Sequence, residues 1–224
     1  YKHLITILEN LGKEVYVATY EDFGAMACRI LVPDYSEVYL AEDLIWDNTN
    51  QALMFREDIL NIHSLTNKEL ENLLERFEEV QLDHYTVISG LIGIQFEENS
   101  VWGKLDVGEL KILIYLVLKK YVEAKEIIDE FLNFNDNIVE RVLFYQALSA
   151  VLDITMDEEL DIDDYLPNLN RMYNSKVMGN VIGSVTGTVK FYGLTKTSMK
   201  LEGLDKHQSL IESYKKLHGA RQAQ

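Results

Sequence analysis

The chain holds one cysteine and two prolines in 224 residues, and 21 basic residues stand against 37 acidic ones. A single thiol, Cys28, cannot close an internal disulfide, which suits a reducing compartment. Cys28 alternates with Met26 and Ile30 in a strand pattern, so a buried apolar side chain is expected there rather than a nucleophile. A net charge of −16 argues against general binding to nucleic-acid phosphates. The longest continuous apolar run, Ile112 to Leu118, is far below the roughly 20 residues of a membrane span. No basic stretch followed by an apolar one opens the chain, so no signal peptide is visible, and a cytoplasmic location is expected.

Motifs that would carry chemistry are equally scarce. The five histidines (His3, His63, His84, His207 and His218) form neither a His-Glu-x-x-His pair nor a Cys/His zinc pattern. A phosphate-cradling Gly-x-x-x-x-Gly-Lys loop and a serine-nucleophile motif are both missing. The acidic run Asp157 to Asp164 lacks the turn glycine and the closing glutamate of a calcium loop and reads as a solvated link. No catalytic, cofactor-binding or metal residue is therefore assigned.

What is present is core material, with 47% apolar and 26% charged residues. Leu4, Ile7, Leu8 and Leu11 recur at helical spacing and stop at Gly12. Val15 to Tyr20 and Ala25 to Val32 read as two strands around a turn at Glu21 to Gly24, closed by Pro33. Two strands and a helix make a poor independent unit, so the rest of their sheet is expected upstream, in a longer protein. Beyond Pro33 the period becomes helical. Thr66 and Glu69 are spaced as a capping box ahead of the stripe Leu70, Leu73, Leu74, Phe77 and Val80, with Leu65 and Leu70 as its staple. A helix opened by Asp106 is apolar nearly all round from Leu110 to Leu118 and should be central.

Two more helices follow. One faces inward with Tyr121, Ala124, Ile128 and Phe131, the other with Val139, Val142, Leu143, Ala147, Ala150, Val151 and Ile154. Short links make the three consecutive antiparallel hairpins of a helical bundle, either generic or repeat-like in the tetratricopeptide manner, although the Trp-Leu-Gly-Tyr signature and a 34-residue period are missing. Phe144 and Tyr145 fall off the inward stripe and are candidates for a partner contact. A helix from Asp163 to Tyr173 must place Pro167 in its first turn or be interrupted by it. The β-branched residues on both sides of Thr186-Gly187 predict a small hairpin, with Gly179, Gly183 and Gly187 explained by turn chemistry. A last helix, capped by Asp205 and Gln208, should turn Leu210, Ile211, Tyr214 and Leu217 inward and pack on the helical body. From Thr188 to Gln224, seven basic against three acidic residues give +4, which leaves −20 for the remainder. Lys196, Lys200 and Lys206 in this tail are further candidates for a partner contact.

The stretch "GKEVYVATYEDFGAMACRILVPDYSEVY" resembles the end of the catalytic domain in YcaO proteins, where a strand enters a Val-Pro-Gly-like turn. The segments "AEDLIWDNTNQALMFREDIL", "NDNIVERVLFYQAL" and "FYGLTKTSMKLEGLDKH" are similar to the bacterial YcaO subgroup with a helical C-terminal extension. The resemblance implies that residues 1–35 are the tail of the catalytic domain and the rest its extension, while the residue patterns give a mainly α fold with a helical body at 36–175 and a hairpin and terminal helix packed on it at 176–224. The resemblance also implies a parent protein that uses ATP and magnesium through ligands in its upstream domain. The subgroup assists β-methylthiolation of a small-subunit ribosomal protein by a radical methylthiotransferase. This segment would then be a non-catalytic module for dimerisation or docking. The alternatives are completion of the upstream ATP site, or ribosome docking through the basic tail. Asp34 replaces the usual glycine of the turn and the Pro-rich terminus of peptide-cyclising relatives is missing, which argues against heterocycle formation.

Overall fold

The computed structural model describes residues 2–22, 25–32, 53–97, 99–134 and 139–222. It divides into two compact units, residues 1–49 with 208–224, and residues 50–207. Among the described residues the architecture is mainly α, with one two-stranded sheet.

In the smaller unit, α1 (Lys2–Asn10) ends at Gly12, whose φ of 68° supplies the left-handed turn that follows the helix. Leu8 is buried, whereas Ile7 and Leu11 remain exposed. β1 (Tyr16–Asp22) and β2 (Ala25–Leu31) pair antiparallel from Tyr16 opposite Leu31 to Asp22 opposite Ala25. The strand expectation is met. Cys28 is a correction: it lies opposite Thr19 and is exposed, as are Val17 and Tyr20, since a two-stranded ladder by itself buries little. The turn centre at Phe23 and Gly24, Pro33 and Asp34, and the 35/36 boundary lie outside the described residues.

The larger unit begins with α2 (Arg56–Leu60) and α3 (Asn67–Glu79). At the start of α3 the Thr66 hydroxyl accepts from the Glu69 N–H at 3.4 Å, and the Glu69 carboxylate accepts from the Thr66 N–H at 2.7 Å. These two bonds are the expected capping box, and Leu70, Leu73, Leu74 and Phe77 are buried beneath it. A short helix, α4 (Ile88–Ile92), leads to α5 (Val107–Leu118), which is capped by the Asp106 carboxylate on the Glu109 N–H at 2.7 Å. α5 divides the unit's interior. Leu110, Leu113 and Ile114 join a cluster with Phe55, Phe77 and Trp102, while Ile112 and Leu116 join a second with Ile128, Phe144 and Val151. A helix that feeds two cores on different sides must be apolar nearly all round, which is the pattern its sequence carries.

α5 stops at Lys119, which takes the left-handed conformation at φ 58°, and only Lys120 then separates it from α6 (Tyr121–Phe134). So short a link forces the two helices antiparallel. α7 (Val139–Met156) and α8 (Ile162–Tyr173) follow. Pro167 lies past the first turn of α8 and does not break it, a correction to the expected alternatives. The proline forgoes the bond to the carbonyl of Asp163, and that residue is exposed, so water can take the freed acceptor.

The expected hairpin around Thr186-Gly187 is also corrected. Residues Ser175–Thr186 form α9, with the Asn174 side chain accepting from the Val177 N–H at 3.0 Å and Gly187 ending the helix at φ 83°. Met178, Val181 and Val185 are buried at helical spacing. The modest β preference of valine and isoleucine yields to that burial. Gly183 is a packing glycine, since a Cβ there would stand 2.6 Å from a methyl of Val189. Residues 188–204 then run as an irregular strap. The Trp102 indole donates to the Thr195 carbonyl at 2.9 Å and the Thr197 hydroxyl to the Leu60 carbonyl at 2.8 Å.

α10 (Asp205–Gln222) begins in the larger unit, where the Lys206 N–H donates to Glu97 Oε1 at 3.0 Å and the Gln95 N–H to His207 Nδ1 at 3.2 Å. Its expected inward stripe is corrected. Leu210 and Tyr214 are exposed, while Ile211 and Leu217 are half-buried.

Candidate functional site

The densest polar constellation gathers at the N-terminal end of α5. Glu109 and Lys111 are each nearly inaccessible, although charged residues are seldom buried unless paired. Glu109 forms a buried ion pair with Arg141 of α7, whose Nε donates to Glu109 Oε1 at 2.9 Å while its terminal nitrogen meets Oε2. The Tyr145 hydroxyl donates to the same Oε1 at 2.8 Å, and burial raises its pKa, so it stays a neutral donor. Burial lowers the Arg141 pKa, with Tyr145 and Asp106 opposing, but a guanidinium stays protonated in proteins.

Lys111 serves the other side. Its ammonium donates to Glu78 Oε1 at 2.6 Å and to His84 Nε2 at 3.2 Å. On the other edge of the ring, His84 Nδ1 lies 3.3 Å from Glu130 Oε2. The Tyr85 hydroxyl donates to Glu130 Oε1 at 2.9 Å. Gly108 lets the chain approach closely: its N–H bonds the His84 carbonyl at 2.9 Å, and a Cβ there would come within 3.1 Å of the His84 Cβ. One network thus joins α3, the turn at His84, α5, α6 and α7.

Asp106 stands beside a niche of about 10 Å³ lined also by His84, Gly108, Glu130 and Phe131. Burial lifts its carboxyl from 3.8 to about 6, with Arg141 and His84 pulling the other way. A carboxyl tuned towards neutrality beside a histidine is a familiar feature of acid–base sites. Here the niche has room for about one water molecule and none for a substrate, so the arrangement works as structure. A raised folded-state pKa means the folded chain binds the proton more tightly than the unfolded one. Relative to its value below about pH 4, the stability falls as pH rises towards about 6 and is lower by about 3 kcal/mol above it. Asp106→Asn keeps a cap but removes the charge. Its stability relative to the parent chain is expected to improve between pH 4 and pH 7.5 by about 2 kcal/mol in paired urea titrations. An unchanged difference across that range would show that Asp106 is not desolvated.

The residues singled out in sequence do not form one surface. Phe144 and Tyr145 are 0% and 1% exposed, so their assignment as off-stripe partner contacts is corrected. Phe144 stacks on Tyr192 with ring centroids 3.9 Å apart, and Tyr145 meets Phe131 edge-on at 4.8 Å. α7 is covered on several sides, so a single-stripe reading misassigns its faces. Lys196 and Lys200 lie exposed on the strap, and Lys206 is half-buried in the first turn of α10. The Asp106, Glu109, Lys111 and Arg141 constellation was missed, yet it left a signal: two charges, Glu109 and Lys111, bracket the start of a helix apolar enough to be central. Charges so placed must be paired. Among the described residues, no cluster of three or more His, Cys, Asp or Glu side chains could hold a metal ion. No helix there is long and apolar enough to cross a membrane.

The chain is 33% identical over 227 residues to the Ribosomal protein S12 methylthiotransferase accessory factor YcaO of Escherichia coli (strain K12), with 98% of this chain and 38% of that protein covered. It is 31% identical over 226 residues to an uncharacterised protein of Haemophilus influenzae (strain ATCC 51907 / DSM 11121 / KW20 / Rd), covering 99% of this chain and 38% of the relative. The chain thus spans 38% of the length of both relatives. Residues 52–223 match the family described as the YcaO cyclodehydratase C-terminal domain, and the chain belongs to that family.

Proposed function

We propose that this chain is a non-catalytic helical module of a YcaO-type, ATP-using protein in the cytoplasm, serving self-association or partner docking while the parent assists β-methylthiolation of a small-subunit ribosomal protein. ATP and magnesium would bind in the parent's other part. The observation that carries the reading is the pairing at the head of α5. Glu109 pairs with Arg141 and accepts from the Tyr145 hydroxyl, and Lys111 donates to Glu78 and His84. Such a network holds a scaffold rigid rather than presenting groups to a substrate. The similarity to a protein named as a methylthiotransferase accessory factor supports the biological setting.

Two measurements on the chain test it. Calorimetric titration with magnesium-ATP is expected to give no binding heat, and micromolar affinity would overturn the non-catalytic reading in favour of a segment that completes a nucleotide site. Light scattering is expected to give twice the 25.9 kDa of one chain if the module self-associates. A monomer leaves docking as its role, to be read by pull-down with the methylthiotransferase and the ribosomal protein. Failure of both would refute the proposal.

A further inference from the structure

The irregular strap over residues 188–204 closes on both cores of the larger unit. Phe191, Leu194 and Leu204 are buried in the cluster that holds Phe55, Phe77 and Trp102, while Tyr192 stacks on Phe144 of the other cluster. The closed path is strained. Phe191 and Leu201 stand at φ 54° and 58°, the left-handed region that residues with a side chain seldom enter. Such a backbone persists only while its surroundings hold it.

Two histidines share in that holding. His63, between α2 and α3, meets the Phe191 ring edge-on with centroids 5.2 Å apart, and among the described residues its buried Nδ1 has no hydrogen-bond partner. Burial pushes its pKa below the ordinary histidine value; the Leu194 carbonyl works against that shift and the Lys196 charge adds to it. A proton would set a second positive charge near Lys196, and Asp58 of α2 is already paired with Arg76. His207, in the first turn of α10, is the last residue of the larger unit. Its Nδ1 accepts from the Gln95 N–H at 3.2 Å. A backbone N–H can only donate, so that nitrogen carries no proton and the ring is neutral. Burial lowers this pKa too, and the charge of Arg56 on α2 adds to the effect. Among its acidic neighbours, Glu97 is engaged by the Lys206 N–H at 3.0 Å and Asp205 is exposed.

We propose that the segment from Phe191 to His207 is an acid-sensitive strap, held on the larger unit by two histidines that are neutral while it is closed and released when both take a proton. Closure and protonation compete at each ring. At His207 the proton would occupy the lone pair that the Gln95 N–H uses, and at His63 it would charge a ring flanked by a lysine. In an open strap both rings meet water and titrate near the ordinary value of about 6.5, whereas in the closed one they titrate lower. The open form therefore binds protons more tightly. Closure is undisturbed above about pH 7, and opening grows as pH falls through about 6.5. Between pH 7.5 and 5.5 each histidine multiplies the opening constant by at most about tenfold, and the pair by at most about 100-fold. Release would bare Trp102, whose indole donates to the Thr195 carbonyl, and so offer an apolar surface in acid that is covered at neutral pH.

The test is amide hydrogen exchange on the whole chain, read by NMR as protection factors at Gln95, Leu194, Leu204 and Lys206 between pH 7.5 and 5.5. Protection at these four is expected to fall by about 10- to 100-fold as the pH drops. Throughout, they should stay less protected than Leu73 of α3, which reports unfolding of the unit as a whole. His207→Asn keeps an acceptor for Gln95 with no proton to gain, and His63→Phe keeps a ring against Phe191. Each should remove about half of the fall on a logarithmic scale, and the two together all of it. Because the slope with pH is read rather than the protection itself, a variant that merely weakens the strap still decides. In the parent chain the imidazole resonances of both histidines should titrate below about 6.5. Titration of either ring at or above that value, a fall left whole in either single variant, or strap protection equal to that of Leu73 at every pH overturns the proposal.

Discussion

Replacement of Glu109 by alanine is expected to lower the unfolding free energy of the helical unit by about 3–5 kcal/mol in urea titrations at pH 7. Two losses coincide. Arg141 keeps its charge in a site where its side chain is 14% exposed, and the Tyr145 hydroxyl loses its acceptor. The cost arises less from the attraction removed than from the unpaired guanidinium left in a poorly solvated place. The companion variant Arg141→Met should be destabilised by a similar amount, since it strands the carboxylate instead. Glu109→Leu combined with Arg141→Met removes both charges and should lose clearly less than the sum of the single changes. Additive losses, or single losses below about 1 kcal/mol, would show that the pair is solvated and that the network does not hold α5 to α7.

Phe144→Ala separates a core role from an interface role. With the ring fully buried, stacked on Tyr192 and edge-on to Tyr145 at 5.1 Å, truncation should cost about 3–5 kcal/mol through lost burial and a residual cavity. The effect belongs to the isolated chain, so the urea midpoint should fall without any partner present. An interface residue would behave differently: association would weaken while the midpoint stayed put. A midpoint within experimental error of the parent's would return Phe144 to the surface where its position off the helical stripe had placed it.

Both variants disturb α7, which supplies Arg141 and Tyr145 to the junction and Phe144 to the aromatic stack.

Local sequence settled the elements whose signals are local. The Thr66 and Glu69 capping box starts α3 because both partners lie within one turn. The apolar girdle of α5 announces its central place, and the single residue at Lys120 forces α6 to run back along it. Alternation from Tyr16 to Leu31 marks the two strands. Tertiary structure alone decided the rest. Residues Ser175–Thr186 became a helix because burying Met178, Val181 and Val185 outweighs a β preference of a few tenths of a kcal/mol per residue. Phe144 and Tyr145 went inside because α7 is surrounded on more sides than one stripe can record. The partners of Glu109 and Lys111 lie 27 to 36 residues away along the chain, beyond the reach of any helical or strand period, so only the packed fold could bring those charges together.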